Sequence, residues 1–184
     1  MLQIDHRESH DVDLFIMEPQ FLPFLNPETQ GYGLARQPDA CSTDGATTLK
    51  LSFGGVGEID FICCPEVTEQ PTSRHMVEGH EVDLETPAEI IAKKVYYRGD
   101  LMQPRDMFDI AAVAEHHGDD YAVAALRACG EDRCASALRH VERMNPGFAQ
   151  KIVGQLMYRE RNQHLVHIAQ PTTARLLRSA ITAW

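Results

Sequence analysis

Polar and apolar positions divide the chain into a front part with period-two alternation and a rear part with helical spacing. Residues 12–16, "VDLFI", predict a short buried strand, apolar apart from one aspartate. Residues 18–46 are rich in Pro, Gly, Asn, Gln and Asp, and predict a loop with at most a turn of helix. In "TTLKLSFGGVGEIDFICC" two β-rich runs, 47–53 and 58–63, flank Gly54-Gly55-Val56-Gly57, which reads as a hairpin turn. "HMVEGHEVDLE" predicts a further strand or strand pair turning at Gly79.

The character changes at residue 86. "ETPAEIIAKKVYY" supplies Thr86 as N-cap, Pro87 in the first helical position and Glu89 three residues after the cap. Ile90, Ile91, Val95 and Tyr97 are its expected packing face, and Gly99 its stop. "QPRDMFDIAAVAEHHG" predicts a second helix, from Pro104 to Gly118. Further helices are expected over 119–128, 131–143, 146–158 and 171–182, the last with Leu176, Leu177 and Ile181 on one face. The expected fold is therefore α+β, with a β-rich core over 1–85 and a helical part over 86–184 packing on it.

Bulk composition narrows the class. With 184 residues, 43% hydrophobic and 24% charged, the chain can bury a real core. The net charge of −10 disfavours bulk attraction to nucleic acid or an anionic membrane, though not a local basic patch. No run approaches the ~18 apolar residues of a transmembrane helix, and no signal-peptide pattern opens the sequence, so a cytoplasmic protein is expected. The five cysteines, with pairs at 63–64 and 129 and 134, lack zinc-ribbon spacing and read as reduced, mostly buried thiols.

Candidate chemistry begins with Asp11 and Asp13 in "RESHDVDLFI". On a strand, residues i and i+2 share a face, which directs both carboxylates one way and Val12 and Leu14 into the core. Two converging hard ligands suit Mg²⁺ or Mn²⁺. On spacing alone, a solvated strand end or a turn carrying two exposed acids is the better fit, because D-x-D is a common triplet. Glu58 and Asp60 repeat the i, i+2 pattern on the second arm of the hairpin, and Asp60, inside an apolar run, is a third carboxylate candidate. Lys94 could meet a triphosphate as a point charge or stand as an exposed helix lysine. Arg105, Asp106 and Asp109 share one turn of a helix, which sets Asp109 beside both others, for a site or merely for a cap and ion pair. His10-Asp11 as a metal-phosphohydrolase dyad fits poorly, because that dyad needs a helical setting and further histidines.

Taken in order, R-x-S-x-D-x-D before an apolar strand, then "EIIAKK", then "RDMFDI" resemble the AbiEii/AbiGii-type nucleotidyltransferases of abortive-infection and toxin–antitoxin systems. The matching runs are His6 through Phe15, Glu89 through Lys94, and Arg105 through Asp109, within residues 5 to 115. The resemblance implies a polymerase-β-like fold, a mixed sheet bearing the metal site with a helical C-terminal part. It implies Asp11 and Asp13, with Asp60, as Mg²⁺ ligands, Lys94 as a phosphate contact, and Asp106 and Asp109 as polar groups of the catalytic cleft. Arg7, Ser9 and Arg105 become substrate-binding candidates. The implied reaction moves a nucleoside monophosphate from an NTP to an acceptor such as RNA, notably a tRNA 3′ end, in a protein countered by a cognate antitoxin. For RNA, Arg98, Arg105, Arg127, Arg133, Arg139 and Arg143 would have to form a basic rim; ordinary solvated helix faces are the alternative. Such enzymes carry a Gly-Gly or Gly-Ser element before the acidic strand, whereas the ten residues before Asp11 include no glycine. A truncated start, or an inactive relative acting as a binding or regulatory protein, is the alternative expectation.

Overall fold

A computed structural model of the chain describes residues 1–182; residues 183–184, the end of the expected helical part, lie outside it. The chain folds as two compact units: Ser9–Pro65, and Met1–Glu8 together with the chain from Glu66 onward.

The first unit is a four-stranded mixed sheet in the order β1-β4-β3-β2. Its strands are β1 (Val12–Ile16), β2 (Ala40–Thr43), β3 (Thr48–Phe53) and β4 (Gly57–Cys63). β1 runs parallel to β4, while β3 is antiparallel to both β4 and β2. The β3–β4 hairpin is the one its sequence predicts, closed by a bond from Val56 N–H to the Phe53 carbonyl at 3.0 Å. Alternation then sorts the side chains. Leu49, Leu51, Ile59 and Phe61 gather on one face with Ile16 and with Leu22 and Leu25 of the short helix α1 (Leu22–Leu25). Their neighbours along the strands, Lys50, Ser52, Glu58 and Asp60, take the other face.

Two expectations for this unit are corrected. Val12 and Leu14 are 51% and 42% exposed rather than buried, because β1 is an edge strand and the core lies against the inner strands. The segment 18–46 is not all loop. It holds a 3-10 turn (Pro19–Phe21), α1, α2 (Pro27–Gln30) and β2. "ACST" has no apolar alternation; it becomes a strand because it completes the backbone hydrogen bonds of β3.

The second unit contains the hairpin β5 (Thr72–Val77) and β6 (His80–Glu85). The turn residues Glu78 and Gly79 both have positive φ, 48° and 82°, as a tight two-residue hairpin loop requires. Among the described residues six α-helices follow: α3 (Pro87–Arg98), α4 (Pro104–His117), α5 (Asp119–Arg127), α6 (Glu131–Arg143), α7 (Pro146–Val153) and α8 (Leu165–Thr182). Thr86 caps α3 as expected, its Oγ1 accepting from the Glu89 amide at 3.2 Å. Ile91 and Val95 reach the core, Tyr96 packs against it, and Tyr97 stays 44% exposed instead of packing.

α4 runs through the middle of the bundle and is buried continuously from Asp106 to Ala114. α7 ends at Val153, short of the expected 158. α8 starts at Leu165, so Pro171, expected at its N-terminus, lies inside it and lacks the amide of one helical hydrogen bond. The N-terminal residues belong to this unit. Ile4 enters its core, and Arg7 pairs with Tyr158 through bonds from Glu8 N–H to the Met157 carbonyl (2.9 Å) and from Arg159 N–H to the His6 carbonyl (3.0 Å). Cys129 and Cys134 are buried thiols, and burial pushes their pKa values up to about 12 and about 11.

Candidate active-site residues

The polar face of the sheet carries a row of charged groups set by strand register. Asp13 pairs with Asp60 across β1 and β4, and Asp60 pairs with Lys50 across β4 and β3. Lys50 Nζ meets the Glu58 carboxylate and lies 3.4 Å from Asp60 Oδ2. Ser52 Oγ donates to Glu58 Oε1 at 3.2 Å. Asp60 Oδ1 is buried with no hydrogen-bond partner. Burial, together with the charge of Asp13, pushes the Asp60 carboxyl above its ordinary range against the pull of Lys50.

Asp11 meets the same strands differently, its Oδ1 accepting from the Glu58 amide at 3.2 Å. That approach depends on Gly57, whose φ is +152° and whose missing Cβ would fall 2.1 Å from the His10 carbonyl oxygen. Ser9 is exposed, and its hydroxyl makes only a long 3.5 Å contact with the Asp11 carbonyl.

The helical unit holds the second group. Asp106 and Asp109, on α4, are 0% and 1% exposed. Lys94 Nζ, from α3, lies 2.6 Å from Asp106 Oδ1 and 2.9 Å from Asp109 Oδ2. Arg7 grips Asp109 with both ends of its guanidinium, Nε to Oδ1 at 2.7 Å and Nη2 to Oδ2 at 3.0 Å. His6 Nε2 donates to Asp109 Oδ1 at 2.6 Å. Asp106 also accepts from the Gln103 amide at 2.9 Å, completing a capping box, and from Arg98 Nη1 at 3.1 Å.

Burial alone would raise the pKa of Asp109, but the charge of Lys94 and the bonds from His6 and Arg7 outweigh it and hold the carboxyl well below the ordinary range. For Lys94, burial opposes the charge, and the two carboxylates prevail, raising its pKa. Burial lowers the His6 pKa despite Asp109, which favours the neutral ring; its Nδ1 is buried without a partner.

Lys94, Asp106 and Asp109 are thus brought together, as are Asp13 and Asp60. Arg105 stands one turn before Asp109 on α4, as expected, but it is exposed, and the arginine that holds Asp109 is Arg7. Local sequence patterns do not assign His6, Arg98 or Lys50 to these clusters. His6 stands at the head of the acidic-strand motif, and Lys50 can be found by counting the hairpin register from Asp60.

A two-carboxylate row suits Mg²⁺, which commonly takes one or two protein carboxylates and completes its shell with water and substrate phosphates. The partnerless Asp60 Oδ1 fits such a ligand role. Among the described residues no three His, Cys, Asp or Glu side chains form a ready-made metal cage. No described helix is long and apolar enough to cross a membrane.

A mixed sheet whose first strand carries Asp13, followed in the chain by a helical part, is an α+β fold, which the family match makes one of the nucleotidyltransferase type. The chain belongs to the AbiEii family: the family model described as nucleotidyl transferase AbiEii toxin, type IV toxin–antitoxin system, matches residues 1–179. Membership implies a cognate antitoxin. No curated protein matches the chain. No solved structure matches it either.

Proposed function

We propose that this chain transfers a nucleoside monophosphate from a nucleoside triphosphate to an RNA hydroxyl, with Mg²⁺ or Mn²⁺ held by Asp13 and Asp60 and assisted by Asp11. The observation that carries this reading is the register pairing of Asp13 with Asp60 on adjacent parallel strands, one oxygen of Asp60 lacking any donor. Like charges set side by side on a sheet repel, and a hard dication relieves that repulsion. A cation bound there would neutralise triphosphate charge and favour ionisation of the acceptor hydroxyl.

The reaction forms a bond from the acceptor oxygen to the α-phosphorus and breaks the bond to pyrophosphate. The protein's share is positioning and electrostatics. In the helical unit Arg7, Lys94 and Arg98 outnumber Asp106 and Asp109, so that cluster carries a net positive charge. Arg98 is 45% exposed and so open to a ligand. RNA, with a tRNA 3′ end foremost, is the acceptor that the motif resemblance favours. Against a net charge of −10, it would be met by exposed arginines such as Arg105, Arg139 and Arg143.

The test supplies labelled NTPs, Mg²⁺ and total tRNA to the full chain, with Asp13→Ala beside it. Label is expected in RNA with the natural chain, and at least about 100-fold less with Asp13→Ala, since even outer-shell partners of a metal cost up to that much. Failure of the natural chain to label any RNA or protein overturns the reading.

A further inference from the structure

Lys50 brings a positive charge into the carboxylate row. It lies opposite Asp60 in the β3–β4 ladder, with Asp13 on the far side of Asp60. Its ammonium touches the Glu58 carboxylate and Asp60 Oδ2, while Asp60 Oδ1 has no partner. Glu58 is steadied from its other oxygen by Ser52. One monovalent cation therefore covers part of the row and leaves an acceptor unused.

The lysine side chain is 39% exposed. Its flexible four-carbon stem can swing the ammonium toward solvent without disturbing the strand.

We propose that Lys50 is an internal counter-cation of the carboxylate row, holding Glu58 and Asp60 in place in the cation-free protein and competing with the divalent cation for Asp60. The inference rests on the metal reading of this row. It assigns Lys50 a positioning role: an arriving dication takes over Asp60 and the ammonium retreats. The strength of cation binding is then set partly by a residue that is not itself a ligand of the cation. A lysine serving only to steady a ligand carboxylate would act in the opposite direction, because removing such outer-shell support weakens metal binding.

The experiment titrates Mn²⁺ alone, by calorimetry, into the full chain and into Lys50→Met and Lys50→Arg, and measures thermal midpoints in chelator and in Mn²⁺. Lys50→Met is expected to bind Mn²⁺ about tenfold more tightly, as loss of a competing charge worth one decade would give. It should also melt lower than the natural chain in chelator and recover in Mn²⁺. Lys50→Arg keeps the charge and should bind like the natural chain. Lys50→Gln keeps a donor for Glu58 and replaces methionine if that variant does not fold. Unchanged or weaker binding by the uncharged variants overturns the role of Lys50 while leaving the metal site standing. If the natural chain and the folded variants all fail to bind Mn²⁺, the metal reading falls, and this inference with it.

Discussion

Asp109 takes a bond from His6, two from Arg7 and one from Lys94, yet has almost no contact with water. A buried carboxylate so surrounded makes stability depend on pH in two windows. His6 has a lowered folded pKa, so the unfolded chain takes up that proton first as the pH falls through ~6.5. Its contribution is present above that pH and lost below it. Asp109 has a depressed folded pKa, so its contribution is present above ~4, the unfolded carboxyl value, and lost as the pH falls further. Urea unfolding at a series of pH values should therefore show stability declining from pH 7 to 5. His6→Gln should flatten that decline while leaving the drop below pH 4; a profile unchanged by the substitution would refute the account. At this scale the sequence is informative where periodicity rules. Alternation puts Glu58 and Asp60 on one face, and the hairpin register places Lys50 beside them. Nothing local joins His6 or Arg7 to Asp109, since that contact spans about a hundred residues and no short-range rule covers it.

At the scale of elements, the turn into β4 sets the position of the first strand. Gly57 adopts a backbone conformation that side chains resist, with the His10 carbonyl against its open face. Gly57→Ala should cost about 2 kcal/mol or more of stability in denaturant unfolding, combining backbone strain with a direct clash. The loss should come with displacement of Asp11 from the Glu58 amide and reduced nucleotidyl transfer. Full stability in the variant would show that the strand entry tolerates a side chain. Helices with strong start signals are legible in the sequence: Thr86 and Pro87 mark the start of α3, and Pro104 that of α4. β2 and α8 are not. β2 depends on a neighbour's open edge rather than on its own residues. In α8 the packing of Leu165 and Ala169 against the core outweighs the proline that normally marks a helix start.

At the scale of the whole molecule, the two units differ sharply in what they bury. The sheet unit's apolar centre rests on Leu22, Leu49 and Leu51, whereas the helical unit packs α3, α5, α6, α7 and α8 around α4, buried from Asp106 to Ala114. Local opening should follow that contrast. In native-state hydrogen exchange, amides of β3 and β4 are expected to exchange at least about tenfold faster than those in the middle of α4, a difference of roughly 1.4 kcal/mol in opening free energy. Equal protection in both units would mean that they open together as one cooperative body.

The strand-like pairing of Arg7 with Tyr158 has a consequence for synthesis. The sheet unit is a continuous stretch, Ser9–Pro65, and all of its pairing partners leave the ribosome early. The first eight residues must instead wait for the segment around Tyr158, a delay on the order of ten seconds at ordinary translation rates. During the first part of that interval Asp109 has yet to be made, and the segment around Tyr158 that bridges to Arg7 comes later still. A product released before that segment would carry the carboxylate row without a finished positive cluster, which is therefore among the last features a nascent chain can complete.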